Sequence, residues 1–196
     1  NRNVQLEGKP PVSLNKQRAA PDDLSSSQQA QVNRSIKTIR DNPQTRTFAI
    51  TVSYPYVITG NLSQTELEHW KSRIQRTQAA VKSMYFNKEP AEVVQIWLFK
   101  DANSYFQYNQ SLWGASPGTG FGYYLPKQKR MMMNIASGGG TLTHELVHPY
   151  IEANFPRSPL WFNEGLAELY STFEVDGDEA LVGAVKSQHL RWLKLR

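Results

Sequence analysis

None of the 8 Phe, 9 Tyr and 5 Trp residues of this 196-residue chain precedes Phe48. Aromatic side chains dominate the burial of a core, so a packed body is expected over residues 47–196. Residues 1–46 are then a peripheral N-terminal segment. It reads as an extended tail broken by Pro10, Pro11 and Pro21, followed by a weakly amphipathic polar helix carrying Val32, Ile36 and Ile39. The length suits one domain of ordinary size. The longest apolar run, Ile96-Trp97-Leu98-Phe99, falls far short of the roughly 20 residues a membrane-spanning helix needs. Cysteine is absent, which removes disulfides, thiol nucleophiles and thiolate metal sites; any transition metal must rely on His and carboxylate. The chain opens at Asn1, as expected after removal of an upstream targeting or trimmed segment, and a secreted or periplasmic setting is the expectation.

A formal charge of +5 raises nucleic acid as a partner, but the excess sits in the first 46 residues, with 8 Lys+Arg against 4 Asp+Glu. Between Gly140 and Ala180 there are eight acidic residues and one basic residue, Arg157. That part of the chain repels phosphate and attracts cations. No nucleic-acid partner is expected.

From Thr47 the punctuation is regular. Phe48–Tyr54 alternates as a half-buried strand closed by Pro55. Ser63-Gln64-Thr65-Glu66 is a capping box, and Leu67, Trp70, Ile74, Val81 and Tyr85 carry an amphipathic helix to about Phe86. Val93–Phe99 reads as a more buried strand, and Asp101 caps a short helix with Tyr105, Phe106 and Leu112. Phe121–Leu125 and Met131–Ile135 flank a polar connection of hairpin length. After Gly138-Gly139-Gly140 a helix begins near Thr141. Ser158 and Pro159 start another, and a last helix is expected from about Asp178. Together these give one α+β domain with a small mixed sheet.

The helix near Thr141 carries His144-Glu145-Leu146-Val147-His148, an H-E-x-x-H pattern. Four residues advance a helix by about 400°, so both imidazoles emerge on one face, a turn apart. Zinc accepts imidazole and carboxylate, and a catalytic site uses three protein ligands while leaving one position to water. Glu145 lies beside that position, as a general base requires. Sixteen residues past His148, on the next helix, stand Asn163-Glu164-Gly165-Leu166-Ala167-Glu168. A short Pro-containing loop folds that helix back, so Glu164 can be the third ligand. Glu168, one turn on, can accept the outward N–H of a ligand histidine.

These stretches, Thr141-Leu142-Thr143-His144-Glu145-Leu146-Val147-His148 and Trp161-Phe162-Asn163-Glu164-Gly165-Leu166-Ala167-Glu168, resemble the gluzincin-type zinc metallopeptidases, and most nearly the bacterial peptidase-MA-like domains. The match covers about 141–170. The resemblance implies a zincin-like fold with an active-site helix and a following glutamate-bearing helix, Zn2+ as cofactor, and hydrolysis of a peptide or protein substrate. It makes His144, His148 and Glu164 the ligands and Glu145 the base. Glu168 would orient His144, and Asn163 would hold His148. It also implies that the strand before the active-site helix binds extended peptide along its edge, through Met133, Asn134 and Ala136. Aminopeptidases of this clan carry a Glu there, in G-x-M-E-N; here Met133 precedes Asn134, which favours an endopeptidase or an unusual exopeptidase over a standard aminopeptidase. Pro149, directly after His148, departs from the pattern and is expected to kink the helix. Tyr123, Tyr150, Tyr170 and His189 are chemically able to stabilise an oxyanion, with His189 and Tyr170 preferred.

The competing reading is a non-catalytic binding or scaffold protein of zincin fold that retains the metal site. A further expectation concerns residues 22–41, which would lie over the cleft as a basic latency segment against an acidic catalytic region.

Overall fold

The computed structural model describes residues 12–13, 24–84, 86–171, 174–176 and 179–181. Among them the order is β1 (Val12–Ser13), α1 (Ser26–Asp41), β2 (Ala49–Ser53), β3 (Tyr56–Gly60), α2 (Gln64–Met84), β4 (Val94–Phe99), α3 (Ala102–Trp113), β5 (Gly122–Leu125), β6 (Arg130–Asn134), α4 (Gly140–Asn154), α5 (Leu160–Ser171), β7 (Glu174–Asp176) and β8 (Glu179–Leu181). The expected α+β class holds, as a small domain built on a five-stranded mixed sheet of order β2-β3-β4-β6-β5. Strands β3, β4 and β6 run parallel, and β2 and β5 pair antiparallel at the two edges. Strands β1, β8 and β7 form a separate three-stranded sheet.

Alternation along the strands sorts the core into two layers, because successive side chains point to opposite sheet faces. Tyr56, Ile58, Ile96, Leu98, Met131 and Met133 face α2, α4 and α5. Val57, Trp97, Phe99 and Met132 face the opposite way, against Val32 and Ile39 of α1 and Tyr105 of α3. Strand β3, all five residues of which are buried, was not expected. Pro55 had marked the end of the first strand, whereas Tyr54 and Pro55 are the turn of a hairpin in which Ser53 pairs with Tyr56.

Three further expectations are corrected. The packed body begins before Arg46: Val32 and Ile39 are buried, and the Thr45 hydroxyl donates to the Ile39 carbonyl at 2.8 Å, so α1 is an integral layer and not a loose appendage. Residues 26–41 also lie on the face opposite α4, which rules out their covering the H-E-x-x-H helix. The helix expected from Asp178 is replaced at its start by strand β8, which pairs with β7. Tyr85, and the rest of that expected helix from residue 182 onward, lie outside the described residues.

Caps read from the sequence are in place. At α2, the Ser63 hydroxyl accepts from the Glu66 amide at 3.3 Å, and Glu66 Oε2 accepts from the Ser63 amide at 2.9 Å. These bonds from Ser63 hold the Glu66 carboxyl below its ordinary pKa. A carboxylate lowered in the folded state stabilises above its unfolded pKa and loses that contribution as pH falls through the lower folded value. Ser63→Ala should therefore reduce the thermal midpoint at pH 7 by more than at pH 3; equal losses in the two melting curves would reject the coupling.

Candidate metal site

Helix α4 is positioned from three sides. Its apolar stripe, Leu142, Leu146, Val147, Tyr150 and Ile151, packs on the sheet with α2 and α5. At its C-terminal end Asn154 ties the helix to the loop after α2, with Oδ1 accepting from the Asn87 and Lys88 amides at 3.1 and 3.0 Å. At its N-terminal end Gly139 lies against the Arg73 guanidinium in space a Cβ would fill. The helix runs through Pro149 without interruption. Proline removes the amide that would bond the Glu145 carbonyl, and the next carbonyl, that of Leu146, receives the buried Tyr56 hydroxyl at 2.8 Å. A β3 side chain thus supports the turn that the proline weakens.

Helix α5 packs back on α4, as the short loop through Pro156 and Pro159 predicted, although it begins at Leu160, one residue later than a Ser158 cap implies. The Pro159 carbonyl accepts from the Phe162 and Asn163 amides at 3.0 and 3.1 Å and fills the capping position.

His144, Glu145 and His148 bring one ligand atom each to within 4.8 Å of one another. The imidazoles lie with ring centroids 5.0 Å apart at 73°. His148 Nδ1 is 2.7 Å from Asn163 Oδ1, and His144 Nδ1 is 3.6 Å from Glu168 Oε2. On the other side of each ring, His144 Nε2 is 3.3 Å from Glu164 Oε2 and His148 Nε2 is 3.7 Å from Glu145 Oε2. Nδ1 of His148 is within hydrogen-bond distance of Asn163 and Nδ1 of His144 faces Glu168, so with the proton on Nδ1 each ring turns the Nε2 lone pair to the same side. Two ligands about 2.0–2.1 Å from a tetrahedral ion are about 3.4 Å apart. The His144–Glu164 separation matches that edge, and the donor set suits a divalent cation of intermediate hardness.

The surroundings are acidic and graded in exposure. Glu145 and His148 side chains are 13% and 10% exposed, whereas Glu164 is 52% exposed at the rim. Burial pushes the Glu145 carboxyl above its ordinary pKa, and the negative Glu164 adds to the rise; the imidazole of His148 and a bond from the Tyr124 main-chain N–H pull it back in part. A carboxyl raised in this way is a better proton acceptor at neutral pH than a solvated one.

The structure thus assembles five of the residues read from the sequence, His144, His148, Glu145, Glu164 and Asn163, with Glu168 close behind His144. Glu164 approaches from α5 but stands outside the mutual triplet of His144, Glu145 and His148. The substrate-binding expectation is corrected. Strand β6 lies between β4 and β5, and Met133 and Asn134 are 1% and 6% exposed, so neither lines a free edge. Ala136, in the short turn after β6, is exposed. Among the described residues, the edge strand on this side of the sheet is β5. Tyr170 is fully buried in the core with its ring centroid 5.8 Å from Phe86, which removes it as a donor to a carbonyl in an open cleft. Tyr150 is equally buried, and the Tyr123 hydroxyl is committed to Asn109 at 2.6 Å. His189 lies outside the described residues.

One contributor went unread in the sequence. Tyr124 on β5 stacks on His148 with centroids 6.4 Å apart at 7°, and its hydroxyl lies 3.2 Å from Glu152, which also accepts from Lys129 at 2.8 Å. Only the alternation of β5, which sends Tyr124 to the α4 side and Tyr123 to the other, signals it. In comparisons with known proteins, no family model and no curated protein matches the chain.

Proposed function

We propose that this chain is a zinc-dependent peptidase of gluzincin type and zincin-like architecture. The observation that carries the reading is the common orientation of two imidazoles: each Nδ1 faces Asn163 or Glu168, and each Nε2 faces a centre shared with Glu145 and Glu164. His144, His148 and Glu164 would hold the ion. When bound, zinc supplies Lewis acidity toward a carbonyl and acidifies water. Glu145, its proton affinity raised by burial, accepts the proton of the attacking water and returns it to the leaving amine nitrogen.

The substrate path follows β5. The Phe121 carbonyl accepts from Asn134 on β6, so the antiparallel alternation turns the main-chain groups of Gly122 and Tyr124 to the open edge. Gly122 is buried, so the part of this edge within reach of an extended peptide is the half-buried Tyr124, whose main-chain N–H faces Glu145. No carboxylate stands in Gly122-Tyr123-Tyr124-Leu125 to grip a free amine, which favours cleavage within a chain over aminopeptidase action.

The second reading, a zincin-fold binding or scaffold protein, draws on the placement of Tyr123, Tyr150 and Tyr170 away from the shared centre. A diverse peptide library separates the two. Cleavage that disappears on chelation and returns with added zinc supports the peptidase. Intact peptides at full metal occupancy support the scaffold.

A further inference from the structure

A second feature lies at the end of the sheet where β4 and β6 begin, on the α1 face. A cavity of about 490 Å³ opens between α1 and the turn joining β5 to β6. Four cationic side chains line it, Arg34, Lys127, Lys129 and Arg130, against one carboxylate, Glu92. Lys129 is partly neutralised by Glu152 at 2.8 Å and Glu92 at 3.9 Å. Among the described residues, Arg34, Lys127 and Arg130 have no carboxylate within ion-pair distance. Three cations are thus left uncompensated around one concave space.

The walls are held in place. Arg130 is fixed by its guanidinium over the Trp113 ring at 4.6 Å, and its buried Nε has no hydrogen-bond partner among the described residues. Gln31 on α1 accepts from the Val93 amide at 3.0 Å, and Gln95 donates to Ser35 at 3.0 Å, which clamps α1 to β4. Lys129 holds φ at 48°, and its carbonyl accepts from the Gln95 amide at 2.8 Å. A non-glycine residue in the left-handed region is uncommon and costs free energy. Here it gathers Lys127, Lys129 and Arg130 into one turn. Val93 is the sole apolar lining residue, and no aromatic ring lines the cavity, so nothing there would stack on a base.

We propose that this cavity binds a small, polar ligand bearing several phosphate charges, at a site separate from the candidate metal centre. The chemistry is shared by a free phosphorylated solute and by a lipid headgroup, and two probes distinguish them. Sodium tripolyphosphate is titrated calorimetrically into the full chain, and vesicles of phosphatidylcholine with phosphatidylinositol 4,5-bisphosphate are tested by co-sedimentation. Arg34→Gln/Lys127→Gln removes two exposed cations without touching the core; Lys71→Gln/Lys100→Gln removes the same charge elsewhere and serves as control. The proposal expects one saturable site for tripolyphosphate, or vesicle binding, weakened at least tenfold in the first variant and less than threefold in the control, with both variants melting like wild type. Absence of binding to both probes overturns it. So does binding that the two variants weaken equally, the signature of attraction to net charge alone, or binding that Arg34→Gln/Lys127→Gln leaves intact.

Discussion

Glu145→Gln is expected to lower peptide turnover by about 10²–10⁴-fold, the usual contribution of a positioned general base, while zinc content stays at one per chain. Gln fills the same volume in a side-chain position that is 13% exposed and keeps an acceptor for the Tyr124 N–H, but it cannot take a proton from water. Single-turnover hydrolysis and metal analysis on the same preparation check both halves. The tight triplet makes the metal measurement decisive, because Glu145 lies as near to the two imidazoles as a ligand would. Loss of zinc in the variant would reassign Glu145 from base to ligand. Activity within tenfold of wild type would remove the proposed mechanism altogether.

The second large effect concerns the ion itself. His144→Ala deletes a donor whose side chain is 20% exposed, so the fold should survive the change. Structural zinc sites with four ligands bind with about 10–16 kcal/mol, roughly 3 kcal/mol for each ligand, so the loss of one should weaken binding by about two orders of magnitude. It also leaves Glu164 and Glu168 facing each other without the imidazole between them. Competition with a chromophoric chelator measures the change. Unaltered affinity would show that His144 is no ligand, and the resemblance to gluzincins would then lose its physical basis.

Much of the site was legible because it depends on short-range helical geometry. The four-residue spacing of His144 and His148, and of Glu164 and Glu168, sets which side chains share a face before any tertiary contact is known. The proline-bounded loop between the two helices left little choice but an antiparallel return. Strand order is a different kind of information. Met131-Met132-Met133 reads as a strand next to the H-E-x-x-H helix, yet whether β6 or β5 takes the edge depends on pairing between distant segments, and that pairing placed Met133 and Asn134 in the interior. Strand β3 was hidden for a related reason. Buried on both faces, Tyr56–Gly60 shows no polar alternation, and Gly60, which ends it, reads as a loop although a Cβ there would strike the Leu98 carbonyl. For α1 the stripe of Val32, Ser35 and Ile39 is narrow and partly polar, so composition understated how firmly it docks. Tyr170 was misplaced because a helical position alone does not tell a cleft-facing phenol from a core one.

The central strands β3, β4 and β6 are parallel neighbours, so no hairpin joins them directly and each pairing must close a long loop before it is rewarded. All five strands of this sheet precede His144 in the chain. During synthesis from the N-terminus, the platform can assemble before α4 has left the ribosome. On the proposed function, an ion would then join a scaffold already built and would have no part in nucleating it.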